Sequence, residues 1–188
     1  MILGTPETPI EGVELIPIGE VEPSIIEGIR PGLEARFNAS TEVGEGLRLE
    51  PQWFDPDREQ YHAGPILDLL TERREEVVRP ITLKTLGIVD QDLFAPGLSF
   101  IFGQAIVGGC CGMIGLARLR PEFYNKSPDQ RVFKRRVLIE AVHEIGHTAG
   151  LDHCPKLDCA MNFSRTIEDS DRKGPDLCPN CNKLVSLP

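Results

Sequence analysis

The stretch HEIGHTAGLDHC, residues 143–154, places three of the four histidines of a 188-residue chain within eleven positions and follows the last with a cysteine. His143 and His147 are four apart, so on a helix they project from one face, one turn from each other. Two imidazoles at that spacing can grip one zinc ion at about 2.0–2.1 Å. Glu144 directly follows the first and can reach a water on the ion without being a ligand itself. Gly150 permits a left-handed residue that turns the chain back, and His153 can then meet the same ion from outside the helix. Three neutral nitrogens and no fourth protein ligand leave one corner for water, the pattern of a catalytic rather than a closed zinc. Zinc brings the pKa of such a water to about 7. Glu144, as general base, would take its proton and later hand it to a leaving amine. A helix with two surface histidines would explain neither the glutamate, nor the glycine, nor the third histidine.

A second constellation follows at once. Cys154, Cys159, Cys178 and Cys181 read C-x4-C and, after eighteen intervening residues, C-P-N-C. Four thiolates in two close pairs suit a tetrahedral structural zinc with Zn–S near about 2.3 Å. A redox pair at Cys178 and Cys181 is the rival, but such a motif opens a helix in a thioredoxin-like βαβ unit that is missing here. His153 and Cys154 are chain neighbours, so the structural ion would brace the loop that supplies the third histidine. Two zinc ions per chain are therefore expected. Cys110 and Cys111 fall outside this spacing and read as small buried thiols. His62 has no partner in sequence and reads as structural or exposed.

These residues need elements to position them. Ser127, Pro128 and Gln130 form a helix start with a capping box. The apolar period Val132, Val137, Leu138, Ala141, Val142, Ile145 carries that helix to Gly150. Upstream, residues 13–18 read as a strand. Ile26, Ile29, Leu33 and Phe37 read as a helix that Pro31-Gly32 should kink. Residues 46–50 alternate like a strand. A helical region opened by Asp55-Pro56 follows, with Ile66, Leu67, Leu70, Val77 and Val78 on its apolar face. Strands are then expected at 82–89, 98–102 and 112–119. That order predicts an α/β chain with a mixed sheet and helices packed on it.

Composition narrows the partners. The net charge of −9 argues against nucleic acid, because phosphate binding draws on a basic surface. Lys134-Arg135-Arg136 is a short solvated run rather than a basic patch. The N-terminal stretch lacks a basic segment and is interrupted by acidic residues, so neither a signal peptide nor a membrane span is expected. A cytoplasmic protein follows as the expectation, with cysteines serving as ligands or free thiols in a reducing compartment.

HEIGHTAGLDH resembles the metzincin signature, and its continuation HC-x4-C-x-M with a later C-x2-C is similar to that of the archaemetzincins. The motif covers residues 143–181, about a fifth of the chain. The resemblance implies a zincin-like domain and a zinc-dependent peptidase. In it His143, His147 and His153 are ligands, Glu144 is the base and the four cysteines hold a second zinc. It implies that Met161 is the methionine of the Met-turn, an apolar floor beneath the metal. It also implies a five-stranded, twisted sheet with an edge strand along the cleft, for which residues 110–119 are the candidate. The division expected is residues 1–150, ending with the active-site helix, and 151–188, carrying the Met-turn and the cysteines. The expected partner is a peptide or unstructured protein substrate met by a monomer. The runner-up is a zinc-binding regulatory or peptide-binding protein on the same scaffold with little turnover. A nucleic-acid zinc ribbon drawn from the cysteines alone conflicts with the charge.

Overall fold

A computed structural model of the chain describes residues 9–185. The first eight residues of the N-terminal stretch and residues 186–188 lie outside it. In chain order the elements are β1 (Gly12–Ile18), α1 (Pro23–Phe37), β2 (Ser40–Val43), β3 (Phe54–Asp55), β4 (Gln60–His62), α2 (Ala63–Glu76), β5 (Leu83–Val89), β6 (Leu93–Phe94), β7 (Gly103–Ala105), β8 (Cys111–Gly115), α3 (Gln130–Thr148), α4 (Ile167–Arg172) and α5 (Pro179–Val185).

Five strands form the main sheet in the order β2-β1-β5-β8-β7, and β3, β4 and β6 form a smaller one. All pairings in the main sheet are parallel except the last, in which β7 runs antiparallel to β8. The central strands β1, β5 and β8 are buried on both faces and read as largely apolar runs, as a covered parallel sheet requires. Alternation sorts their side chains. Val13, Leu15, Leu86, Ile88 and Ile114 pack with α1 and α3. Ile16, Ile18, Val89 and Met113 pack with Ala63, Ile66, Leu67 and Leu70 of α2. The result is three layers, with α3 laid over β5, β8 and β7.

Several expectations shift. The candidate edge strand at 110–119 is interior: β8 lies between β5 and β7, and β7 is the open edge. The apolar run 98–102 makes only a bridge at Ile101, and the true edge strand is the three-residue GQA beyond it. Residues 46–50 likewise contribute only the Ile18–Leu47 bridge, whereas β2 forms from the polar STEV. Asp55 ends β3, so α2 starts at Ala63; Val78 lies beyond its end, at φ 45 and exposed. The active-site helix is capped by Asp129, whose side chain accepts from the N–H groups of Arg131 and Val132, so Ser127 and Pro128 precede it. An Asp side chain on two first-turn donors fulfils the same need the capping box was expected to meet. Pro31 sits within α1 without ending it.

Candidate active site

At the C-terminus of α3, Leu151 N–H bonds Gly146 C=O at 3.0 Å and Gly150 N–H bonds His147 C=O at 2.9 Å. Gly150 is at φ +88. These two bonds around a left-handed glycine form a Schellman motif, which ends the helix and reverses the chain. The reversal carries His153 back to the helix. Ligand atoms of His143, His147 and His153 all lie within 4.8 Å of one another.

The two helical rings are oriented by backbone carbonyls: His143 Nδ1 meets Ala160 O, and His147 Nδ1 meets Leu151 O, each at 2.7 Å. A carbonyl can only accept, so each Nδ1 carries the proton and each Nε2 turns a bare lone pair inward. The two Nε2 atoms are 3.1 Å apart. Two nitrogens bound to one zinc at tetrahedral angles stand roughly 3.3 Å apart, from the usual Zn–N distance. The donor set therefore fits a zinc ion. Burial, followed by the Lys173 ammonium and the neighbouring His147, holds the His143 imidazole well below its ordinary pKa. Burial likewise lowers His147 and His153. All three rings are thus kept in the neutral, metal-binding form.

Glu144 is buried, and its Oε2 has no hydrogen-bond partner. Burial, then the Glu140 carboxylate, pushes its carboxyl well above the ordinary range, against an opposing pull from Lys173. The seat of this carboxyl is made by Gly103 on β7: a Cβ there would stand 2.6 Å from Glu144 Oε1 and 2.7 Å from Met113 O.

Residues 154–162 form a closed support beneath these groups. Cys154 N–H bonds Met161 O, and Asn162 Nδ2 donates to Cys154 O, both at 2.8 Å. Met161 is fully buried against Gly146, where no Cβ could be accommodated beside its sulfur. The sulfurs of Cys154, Cys159, Cys178 and Cys181 lie within 4.8 Å of one another. The Cys154–Cys178 separation of 3.8 Å matches the roughly 3.8 Å between two thiolates on a tetrahedral zinc. Cys159 Sγ accepts from Cys178 N–H at 3.3 Å. Burial works to raise the Cys178 thiol, but hydrogen bonds from Cys181 and Asn180 outweigh it and bring the thiol down to about 7, whereas burial raises the thiols of Cys159 and Cys181.

The histidines and Glu144 open into a cavity of about 550 Å³ between β7, the 98–102 loop and residues 163–165. The β7 register decides what the edge offers. Phe102 O accepts from Gly115 N–H and Ile106 N–H donates to Cys111 O, and Gln104 stands opposite Met113. The even-numbered residues therefore bond β8, while Gly103 and Ala105 turn their N–H and C=O groups to the open side. Sequence reasoning missed β7, Glu140 and Lys173. The spacing of Glu140 four before Glu144 was a usable signal for the second. Lys173 Nζ, wholly buried, stands 3.4 Å from Glu140 Oε1, which also accepts from Ser170 Oγ at 2.8 Å. His62 lies away from the site, stacked on Phe94. Cys110 and Cys111 are free thiols, the first half-buried, the second buried beneath α2.

Comparison with known proteins agrees in kind. Residues 44–186 match the model of peptidase family M54. The chain is 37% identical over 172 residues to the archaemetzincin of Pyrococcus furiosus, covering 89% of this chain and 88% of the relative. It is similar to the crystal structure of the Archaeoglobus fulgidus archaemetzincin in complex with malonate, with a TM-score of 0.77 at 30% identity, covering 93% and 99% of the two chains. A zinc-dependent peptidase from Methanocorpusculum labreanum gives a TM-score of 0.82 at 26% identity, covering 93% and 100%.

Proposed function

The chain belongs to peptidase family M54 and is a zinc-dependent metallopeptidase, and from that premise we propose how its own residues do the work. His143, His147 and His153 hold the catalytic zinc, and Glu144 is the general base. When bound, that zinc supplies Lewis acidity to a water and to the scissile carbonyl. Glu144 accepts the proton of the attacking water at its unpartnered Oε2 and delivers it to the leaving amine. An extended peptide lies along β7, bonding the outward N–H and C=O groups of Gly103 and Ala105 as an added strand. Met161 is the floor under the histidines. The single observation carrying this reading is the pair of inward-facing Nε2 lone pairs beside a buried, unpartnered Glu144 carboxylate.

A second zinc is held by Cys154, Cys159, Cys178 and Cys181, giving two ions per chain, a count supported by the sulfur separations. It braces the loop of His153 in a C-terminal part, 151–188, that faces the 1–150 part. A cytoplasmic location is supported by six free cysteines, and no helix among the described residues is long and apolar enough to cross a membrane. A monomer is the expected assembly, to be read by light scattering.

The test joins metal content to turnover. Elemental analysis should find two zinc ions in the wild type and one in His147→Ala. Glu144→Gln should keep both ions and lose peptide cleavage by at least a hundredfold. Undiminished cleavage by Glu144→Gln would end the assignment of the base.

A further inference from the structure

Among the described residues, four buried side-chain polar atoms have no hydrogen-bond partner: Gln104 Oε1, Glu144 Oε2, Ser164 Oγ and Lys173 Nζ. Native interiors leave few such atoms, and these four are not scattered. Gln104, Glu144 and Ser164 line the cleft, and Lys173 sits behind Glu140, which also lines it. Gln104, Glu144 and Ser164 thus present to the cleft polar atoms that no described residue of the chain satisfies.

Next to Ser164 stands Arg165, exposed at the same wall. Among the described residues every other arginine except Arg131 has a hydrogen bond or ion pair from its side chain, whether to a carboxylate, a carbonyl or another polar group. Arg165 has none, although the protein is strongly acidic. Glu168, the carboxylate nearest in sequence, forms no ion pair with it, and Asp169 beside Glu168 is already committed: Asp169 Oδ2 accepts from the backbone N–H groups of Arg165 and Thr166, each at 3.0 Å, and Oδ1 pairs with Arg172. Those bonds also fix the backbone from which Arg165 projects. The Glu140 carboxylate on the cleft wall is occupied by Ser170 and Lys173. Among the described residues the guanidinium is therefore left without a counter-ion.

We propose that Ser164 and Arg165 select substrates carrying a carboxylate close to the scissile bond, either an Asp or Glu side chain or the end of a peptide chain. The proposal rests on the peptidase reading and names the substrate class of that site. Arg is suited to this because its fork meets both oxygens of a carboxylate at once, and the Ser164 hydroxyl adds a third donor. Leu98, Phe100, Phe102 and Phe163 make the surrounding wall apolar, which strengthens a charged contact formed beside it. An apolar side chain would leave Ser164 Oγ unpartnered, so the cleft discriminates against it as well as for the acid.

Binding separates this from turnover. Fluorescent, C-terminally amidated peptides with one Glu walked along an otherwise uncharged sequence are titrated against zinc-loaded Glu144→Gln protein. Gln, Leu and Lys counterparts and a free-acid peptide are titrated alongside. At one position Glu should bind at least tenfold more tightly than Gln or Leu. A preference for the free acid over the amide alone would assign the carboxylate to the chain end. Either preference should fall to within twofold on adding Arg165→Gln, and Arg165→Glu should favour Lys instead. Arg165 is exposed, so unchanged thermal midpoints will verify that these variants fold. Equal affinities throughout, a preference for Leu, or a carboxylate preference that survives Arg165→Gln would overturn the proposal. Selective binding by wild type that leaves every peptide uncut would instead remove the peptidase reading and keep the carboxylate site.

Discussion

Gly103 and Glu144 are in contact across the cleft: the Oε1 oxygen of the buried carboxylate occupies the space that a Cβ on the edge-strand residue would need. The proposed base and the proposed substrate-binding strand are thereby fixed relative to each other. A methyl at this position must move the carboxylate, because the other near neighbour, Met113 O, is backbone. Gly103→Ala should therefore lower kcat by about a hundredfold, the scale expected for displacing a reacting group by about an ångström. Zinc content should stay at the wild-type value. Steady-state kinetics with elemental analysis will read both, and unchanged kcat would mean that the carboxylate has room to spare.

The sulfur of Met161 fills the space beside Gly146, the residue preceding His147. Met161→Ala would open a cavity beneath the histidines and should cost about 2–5 kcal/mol, whereas Met161→Leu, nearly equal in volume, should cost less than about 1.5 kcal/mol. Gly146→Ala overfills the same contact and should cost about 1–3 kcal/mol. Urea unfolding of the three variants will rank them, and a Leu variant as unstable as the Ala one would refute the packing role.

Lys173 and Glu140 are a buried pair linking α4's end to the active-site helix. Removing one charge leaves the other buried alone, so Lys173→Met should destabilise the protein by about 3–5 kcal/mol. Lys173→Met combined with Glu140→Leu removes both charges and should recover most of that loss. Ser170, which donates to the same carboxylate, is left in place in this cycle. A double variant no more stable than Lys173→Met would show that the pair is not the source of the loss.

Asp129 holds the N-terminus of α3, and hydrogen bonds to it from Val132 and Arg131 lower its carboxyl below the ordinary value of 3.8. Because its pKa falls on folding, the stabilisation is complete above 3.8 and is lost as pH falls through the lower folded value. The thermal midpoint of Asp129→Ala should lie below that of the wild type at neutral pH, and the gap should close in acid. Asp129→Asn retains a cap without that pH dependence, and Ser127→Ala should change nothing. Melting curves across pH 7 to 3 will decide; a pH-independent gap would dismiss the charge-linked cap.

The candidate site was legible in the sequence because its spacings are local. An i,i+4 histidine pair, the intervening glutamate, a glycine stop and a histidine three residues later are a helix and a turn written out in order. The four cysteines likewise announce themselves by pairing at short range. Gly150 adopts the left-handed turn expected of it, and α3 ends within two residues of the expected place. The buried strands β1, β5 and β8 were also legible, since a sheet covered on both faces reads as an apolar run.

What the chain order alone left undecided is which strand lies at the edge and which side chains meet across the cleft. Edge position depends on how strands pair over long sequence distances, and β7, only three residues at the open edge, carries no apolar pattern. The run 98–102 was more strand-like by composition yet became the cleft wall. Asp129 displaced Ser127 as cap because both are good acceptors and only the packed geometry chooses between them. Lys173 meets Glu140 from thirty-three residues away, and the acid pair's burial is set by the layers around it. Local spacing thus specified the groups that could hold a metal, while long-range packing decided the strand beside them, the free arginine on the wall and the environment that tunes the carboxylate.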